Sequence, residues 1–496
     1  AFWVLANISG KYYRIAYPVI MFRPTLNAYS GSASTALVLN YGQLYQQLFG
    51  PYSVLFETQP DSYVTLNGHN YISVPGAIGY YDGGSGTLDL VGNNYIQASG
   101  LYVSPGTYVP KTGYKYQGPT PQPSNNIPYV PISTLINPLY SAFNPYQYQL
   151  QLEKEANEIY SQYQGEFVTN PTPSITVGEP VTIDQPVIFT GSLTFIANKA
   201  GPGPYNVTFN APVIFEGPVT DQGVSLTFNS LVIFENCFTV ANAADATFNG
   251  PAVFEGNVGT TSNFVAVFKQ GALFNSSSPG ATISFSATNT RIASNGPIIM
   301  NLTGPSSSIS FNGGVSNTII YSNSIVSLTA TNVLFKGNAI IQSAYPVFIQ
   351  TTGSPQYVSF CGNSVVEISG GLVINSSSAS VTFSGTSSLD ITNGDLIINA
   401  GSVTANTHTN IHGTSSIWVD GPIVIQSTYI RLHGTASINA YGYVLLYGDQ
   451  ITLGGTPGDI VVNQGVPSNT MNNIEVKYIT PIALNPTTPI YVTGWF

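Results

Sequence analysis

The chain has 496 residues, of which 43% are hydrophobic and only 7% are charged, and its formal net charge at pH 7 is -10. The apolar fraction is ample for a packed core, which excludes intrinsic disorder as the overall state. The 12 Lys and Arg residues are not clustered, which excludes a basic surface of the kind that binds a nucleic-acid backbone.

The first 118 residues contain short strand candidates separated by Gly, Pro and Asn, for example residues 12–17, 53–56, 63–66 and 71–74. Gly, Pro and Asn at these positions are typical of turns between short strands. We therefore predict a compact antiparallel β-domain over residues 1–118 that serves attachment or assembly. The chain begins at Ala1 rather than Met, from which we expect that a secretory signal has been removed and that the protein is extracellular.

Residues 119–143 are rich in proline and are predicted to form an extended linker. A helix is predicted over residues 144–165, because Asn144 is a favourable N-cap, Pro145 suits the first helical position and Gly165 suits the C-terminal end. The apolar residues of this helix recur at steps of three and four: Tyr148, Leu152, Ala156, Ile159 and Tyr163. We expect this apolar face to pack across the open N-terminal end of the following repeat or, alternatively, to form a helical neck in an oligomer.

Residues 174–460 repeat themselves with a period of about 20 residues. Two series of phenylalanines mark the period: Phe209, Phe228, Phe248, Phe268, Phe285 and Phe311, and Phe189, Phe215, Phe234, Phe254 and Phe274. The two series predict two strands per repeat. The intervening Thr, Ser, Val and Ile residues favour strands and argue against a leucine-rich repeat. We predict an all-β fold: a right-handed parallel β-helix of about a dozen rungs with the phenylalanines inside.

The second half of the repeat uses a recurring glycine turn, at Gly362, Gly385, Gly413, Gly434 and Gly455. Glycine permits positive φ at each corner. After residue 460 the repeat gives way to two further strand candidates, residues 474–479 and 489–496. We expect residues 461–496 to cap the solenoid or to contact a neighbouring subunit, as part of a homo-oligomer or of a larger assembly.

Three glutamates, Glu216, Glu235 and Glu255, each follow a phenylalanine of the second series and are predicted to point outward on successive rungs. Adjacent carboxylates can act as acid and nucleophile in retaining glycoside hydrolysis, which makes these residues candidate catalytic groups. Cation or sugar binding is a second interpretation, and a solvated acidic stripe without a ligand is the third.

His408, His412 and His433 are candidate metal ligands, but repetition of the turn motif explains the last two equally well. Cys237 and Cys361 are predicted to lie too many rungs apart to form a disulfide. No dinucleotide, P-loop or hydrolase motif occurs in a suitable context, so we predict no cofactor and favour a non-enzymatic role. Exposed tyrosines and Trp418 could stack on sugar rings.

Five sequons agree with an exported glycoprotein, and they begin at Asn7, Asn206, Asn275, Asn301 and Asn375. No apolar run reaches the length of a membrane-spanning helix, so no membrane span is predicted. A surface of Ser, Thr, Asn and Tyr changes its charge little with pH, which suits a hot acidic medium as well as any secreted protein.

The predicted order of a β-domain, a Pro-rich linker, one helix and a long β-helix resembles that of virion tailspikes and surface adhesins. With its low charge, many tyrosines and sequons, the chain looks most like a tailspike of the spindle-shaped archaeal viruses, the fuselloviruses. The resemblance implies a virion or cell-surface protein that binds host glycans or glycoproteins. A subunit of an archaeal surface filament or surface layer is an alternative. A β-helix polysaccharide lyase or hydrolase is a second alternative, disfavoured by the scarcity of Arg and Lys.

Overall fold

The computed structural model describes residues 4–8, 11–15, 41–110, 116–199, 205–287, 289–312, 318–392, 394–402 and 406–462. A hairpin of strands Val4–Ile8 and Lys11–Ile15 is antiparallel. The other named strands pair in parallel and stack into one β-solenoid. The predicted fold class, a parallel β-helix, is confirmed.

The solenoid has three faces, and each complete rung contributes one strand to each of them in turn. The first face is a sheet of 17 strands, so the solenoid has more rungs than the predicted dozen. These strands are Tyr52–Glu57, Ala77–Tyr81, Leu101–Val103, Pro121–Pro123, Val168–Asn170, Val187–Phe189, Val213–Phe215, Val232–Phe234, Ala252–Phe254, Ala272–Ser276, Ile298–Leu302, Val326–Ala330, Val347–Thr351, Leu372–Asn375, Leu396–Asn399, Ile423–Gln426 and Val444–Tyr447.

The second and third faces are joined at a corner, and two long strands, Tyr63–Ser73 and Gln450–Val462, pass through both. The other strands of the second face are Thr87–Asp89, Ser174–Val177, Leu193–Ala197, Val219–Gln222, Phe238–Asn242, Val258–Thr260, Thr282–Phe285, Ser308–Phe311, Asn332–Phe335, Gln356–Phe360, Ala379–Phe383, His408–Ile411 and Tyr429–Leu432. Those of the third face are Tyr95–Gln97, Val181–Ile183, Asn206–Phe209, Ser225–Phe228, Ala244–Phe248, Phe264–Phe268, Thr290–Ser294, Thr318–Ser322, Ala339–Ser343, Val365–Ser369, Ser388–Thr392, Ser416–Val419 and Ser437–Ala440.

The prediction of two strands per repeat is wrong, because a rung has three. The phenylalanine columns exist: Phe215 and Phe234 stack on the first face with ring centroids 4.9 Å apart, and Phe209 and Phe228 stack on the third face at 5.1 Å. Phe285, however, belongs to the second face, where it pairs with Thr260. The second-face strands of the first rungs share no repeating aromatic residue, so the sequence pattern did not reveal them.

Residues 52–123 continue the same solenoid instead of forming a separate antiparallel domain, so the predicted domain over residues 1–118 is wrong for this stretch. Val54 pairs in parallel with Val444, and Val64 pairs with Ile451. The rungs that follow position 52 therefore stack beyond the last rung of the C-terminal half. The physical reason is that a solenoid end exposes unpaired strand edges, and the N-terminal part of the chain covers this one.

The described residues include three helices: α1 (Tyr41–Phe49), α2 (Ser133–Ala142) and α3 (Pro145–Tyr163). Helix α2 falls within the predicted Pro-rich linker, so the linker is not extended throughout. Helix α3 confirms the predicted one: the Asn144 side chain accepts a hydrogen bond from the Tyr146 backbone N–H at 3.1 Å. The helix ends at Gln164 as C-cap, one residue before the predicted Gly165.

The helices pack on the outer surface of the first face, not across the open end of the solenoid as predicted. Leu152 and Ala156 of α3 are buried in one cluster with Val253 and Leu273 of the first face. First-face strands are apolar on both sides, which is typical of a sheet that is covered on both surfaces. Outward positions of the second and third faces are mostly polar, with exceptions such as Val265, Ile319 and Ile340.

The recurring glycine turn stacks at the corner between the second and third faces. Gly413 has φ of +80°, and a Cβ atom on it would lie 2.5 Å from the carbonyl oxygen of Gly385 in the preceding rung. Glycine is thus required both by conformation and by the close approach of the neighbouring backbone. No helix within the described residues is long and apolar enough to cross a membrane. The strand candidates 474–479 and 489–496 lie outside the described residues.

Candidate functional site

The second and third faces present columns of neutral hydroxyl groups, because equivalent outward positions of successive rungs stack in register. On the third face the column begins with Thr182, Thr208, Thr227 and Thr247. On the second face it comprises Thr194, Thr220, Thr239, Ser284, Ser310, Ser359 and Thr382, interrupted by Gly259 and Leu334. The hydroxyl groups of these columns can donate and accept hydrogen bonds without carrying charge.

Trp418 lies on the third face in a different outward column from these threonines. It lies on strand Ser416–Val419 and remains 42% exposed, although its neighbours Ile417 and Val419 are buried. It points outward because side chains alternate along a strand. Its in-register partners are Asp390 in the preceding rung and Asn439 in the next.

Further polar and aromatic groups surround the indole. Tyr441 lies beside Trp418 with ring centroids 6.1 Å apart and planes tilted by 57°. Burial and the nearby carboxylate of Asp420 raise the pKa of Asp390. One rung before Asp390, its in-register partner Glu367 is exposed. Ser416 and Ser437 form a hydroxyl pair alongside.

We name this cluster the Trp418 patch: Glu367, Asp390, Ser416, Trp418, Asp420, Ser437, Asn439 and Tyr441. Its chemistry combines an apolar aromatic surface with carboxylate, amide and hydroxyl groups that can bind hydroxyls. The patch carries no Lys or Arg, so an anionic ligand would find no counter-charge within it. Sequence reasoning singled out Trp418 alone and missed its neighbours.

The three glutamates of the acidic stripe are exposed on successive first-face rungs, as predicted. The pKa of Glu235 is raised, first by burial and then by the charges of Glu255 and Glu216. Burial also raises the pKa of Glu255. Asn275 follows Phe274 as Glu255 follows Phe254, so the stripe continues as a column of amides.

Two of the predicted glycosylation sites lie beneath α3. The side-chain amide of Asn301 donates to Oε1 of Gln149 at 3.1 Å, and that of Asn275 donates to Oε1 of Glu153 at 3.3 Å. A glycan on either amide nitrogen would have to displace the helix. Asn375 accepts a hydrogen bond from Asn399 in its own amide column, while Asn206 lies on the third face. The side chain of Asn7 lies outside the described residues, and occupancy of the sequons stays a prediction.

The histidines stack with their neighbours along the rod. His412 and His433 stack with ring centroids 5.2 Å apart, and His408 stacks on Tyr429 at 4.7 Å. The pKa of His433 is lowered, first by burial and then by the charges of His412 and Arg431. No group of three potential metal ligands occurs within the residues that the structure describes. Cys237 and Cys361 are free thiols that follow first-face and second-face strands in separate rungs.

Three carboxyl groups without basic partners occupy the interior or its boundary. Burial raises the pKa of Glu57 to about 8, although Oε1 accepts a hydrogen bond from the Val130 N–H at 2.7 Å. Burial likewise raises the pKa of Asp221 to about 7, although Oδ1 accepts from the Val224 N–H. Desolvation beneath α1 raises the pKa of Asp395 to about 7. Sequence reasoning did not identify these groups.

The strand pairings define the class of protein: it is a three-faced parallel β-solenoid. Helices pack on the first face and do not cover the second and third faces. No protein-family model matches the chain, and no curated protein matches it. One similar solved structure is an ice-binding protein from an Antarctic bacterium of the Flavobacteriaceae, at 12% identity over 84% of this chain and 98% of that protein. The TM-score of 0.19 is too low for this likeness to bear on function.

Proposed function

We propose that this protein is an extracellular attachment protein that binds glycans through its third face. The observation that carries the proposal is the exposed Trp418, flanked in register by Asp390 and Asn439 on a rigid sheet. Sugars present an apolar C–H surface and a rim of hydroxyls. The indole can stack on the apolar C–H surface of a sugar, while the neighbouring hydrogen-bond donors and acceptors can bind its hydroxyl groups.

The shape of the molecule supports the same proposal. Seventeen stacked first-face strands span about 77 Å at a spacing of about 4.8 Å per rung. A rod of this length holds its outward columns in fixed register, so binding costs little ordering of the protein. The ligand we propose is a neutral glycan, because the Trp418 patch would repel an acidic one. The setting we propose is a virion surface, from the resemblance to tailspikes.

Glycan binding is tested by titrating the purified chain with neutral and acidic oligosaccharides in a calorimeter. Trp418→Ala should weaken binding of a neutral oligosaccharide at least tenfold, which corresponds to about 1.4 kcal/mol. The matched control is Tyr357→Ala on the second face, which removes an equally exposed aromatic ring. Equal affinities of the wild type and Trp418→Ala, or a preference for acidic glycans, would contradict the proposal.

A subunit of a surface filament is the second candidate. A difference between the described ends of the rod favours it: prolines occupy the outward edge positions 121 and 123 at one end, whereas Thr169 turns its backbone N–H and carbonyl outward at the other. Imaging of native particles separates the two settings, since a spike projects singly from a virion whereas filament subunits repeat along an axis.

A further inference from the structure

The two ends of the solenoid are protected differently. At the far end, the last first-face strand is Pro121–Pro123, which pairs with Leu101–Val103. The Ser124 N–H donates inward to the Val103 carbonyl at 2.8 Å. Backbone N–H groups alternate in direction along a strand, so the backbone nitrogens of Pro121 and Pro123 face outward, away from Leu101–Val103. Proline has no N–H, so neither residue can donate a hydrogen bond to a further strand. Prolines at these positions block the addition of a further strand.

At the near end, formed by the strands between positions 168 and 183, the described residues include no such block. On the first face the Val168 N–H donates inward to Pro186, and the Asn170 carbonyl accepts from Thr190, so the N–H and carbonyl of Thr169 face outward. By the same alternation, Ser174 and Thr176 expose backbone groups on the second face and Thr182 does so on the third. Within the part of the chain that the structure describes, these strands each pair on one side only. An open edge of this kind is a template for strand pairing.

The side chains of the near end narrow the choice of partner. Val168 is 52% exposed, and Ile175 and Ile183 are only half-buried against the core. Residues 166–187 include Glu166, Glu179 and Asp184 but no Lys, Arg or His. The end therefore suits an apolar strand that carries positive charge. Two near ends would repel each other at neutral pH.

The N-terminal hairpin fits this description. Its strands Val4–Ile8 and Lys11–Ile15 pair with each other and with no strand of the described solenoid. Residues 1–40 contain Lys11, Arg14 and Arg23, three of the 12 basic residues of the chain, and no Asp or Glu. A two-stranded hairpin is only marginally stable by itself, and a third strand would stabilise it.

We propose that the hairpin of one copy adds to the near end of another copy and links the rods head to tail. Closure within one copy would require the 25 residues between the hairpin and α1 to extend along the rod. Tyr45 of α1 contacts Asp395, ten first-face strands and about 48 Å from the near end, and α2 and α3 occupy the first face between them. The contact joins two different surfaces, so it builds open chains of copies unless their rotation closes a ring.

Sedimentation velocity of the full chain over a range of concentrations tests the proposal. The wild type should assemble as concentration rises. Thr176→Pro removes an outward N–H at an edge position where proline is tolerated, and it should weaken association at least tenfold with an unchanged melting temperature. Thr176→Val is the matched control, because it keeps the N–H and should assemble like the wild type. Assembly of Thr176→Pro at wild-type strength would overturn strand addition.

A charge exchange tests the identity of the occupant. Lys11→Glu with Arg14→Glu should weaken assembly at low salt, and adding Glu166→Lys with Glu179→Lys to the same chain should restore it. If both charge variants assemble as strongly as the wild type, the hairpin is not the segment that binds the near end. Hydrogen-exchange protection of the hairpin in dilute, monomeric protein would show closure within one copy and overturn linkage between copies.

Discussion

Tyr45 of α1 donates a hydrogen bond of 3.0 Å to Oδ2 of Asp395, a residue 350 positions away on the first face. The Tyr45 ring also stacks on Tyr443 with centroids 5.9 Å apart. Desolvation of the carboxyl group raises the pKa of Asp395 to about 7, even though the residue keeps some surface exposure. A helix near one end of the sequence is thus held on the solenoid by a carboxyl group that favours its protonated form.

The pH dependence of stability follows from Asp395 and the two other carboxyl groups of this kind, Glu57 and Asp221. Their folded pKa values are raised to about 7 or 8 from ordinary values near 4. Groups with raised folded pKa values stabilise the fold fully below the unfolded pKa, and this contribution is lost as pH rises through the folded pKa. The melting temperature should therefore be highest below about pH 4 and fall between about pH 5 and pH 9. A melting temperature that rises over this interval would contradict the assignment.

Glu57→Gln isolates one of these groups. The Oε1 atom of Glu57 accepts from Val130, while Oε2 is buried without a hydrogen-bond partner. Glutamine keeps the acceptor and removes the ionisable group, so the variant should be more stable than the wild type above pH 8 by about 2 kcal/mol and nearly equal to it at pH 4. Glu367→Gln is the control, since Glu367 is exposed. Chemical denaturation at both pH values measures the difference.

The phenylalanine columns carry a stability prediction. Phe234 is fully buried, with Phe215 and Phe254 stacked on either side at 4.9 and 4.8 Å. Phe234→Ala should lower the free energy of unfolding by about 3 to 5 kcal/mol, because it leaves a cavity between two rigid rungs. Tyr357→Ala, at an exposed ring, should change it by less than about 0.5 kcal/mol. An unchanged melting temperature of Phe234→Ala would contradict the inward position.

The solenoid was predictable from the sequence wherever one residue type repeats in register. The N-terminal rungs carry a repeat too, since Asn70-Tyr-Ile recurs as Asn94-Tyr-Ile, 24 residues later. In the structure Tyr71 and Tyr95 stack at 5.4 Å, and Asn70 donates to Asn94 at 2.7 Å. This repeat differs in composition from the phenylalanine rungs. From the sequence alone, these residues are therefore predicted to form a separate antiparallel domain.

The position of the helices also had a sequence signal. First-face strands carry three consecutive apolar residues, as in Val232–Phe234 and Leu396–Asn399, whereas outward positions of the other faces are mostly polar. Continuous apolar runs indicate a sheet covered on both sides, and the apolar stripe of α3 has the matching width. Which end of the solenoid the N-terminal rungs extend could not be predicted, because that depends on long-range pairing such as Val54 with Val444.

The Trp418 patch could be predicted only in part. Trp418 was recognisable as a candidate, and the recurring turn fixes its rung neighbours: Ser388-Leu-Asp390, Ser416-Ile-Trp418 and Ser437-Ile-Asn439 occupy one register. Tyr441 and Asp420 are different, because they come from the corner that follows the strand. Their approach to the patch depends on how the chain turns, which the repeat does not specify.

The acidic stripe gives the last prediction. Glu235 has a raised folded pKa, so ionisation of its carboxyl group opposes folding as pH rises through that value. Glu235→Gln should stabilise the protein near neutral pH, by less than about 1 kcal/mol because the group is exposed, and should change little in strong acid. Replacing Glu216, Glu235 and Glu255 together by Gln should leave glycan binding at the Trp418 patch intact. Loss of stability at neutral pH, with a cation titration abolished in Glu235→Gln, would identify a metal-binding stripe. Glycan cleavage that disappears in the triple variant would establish a hydrolase and contradict the purely attaching role.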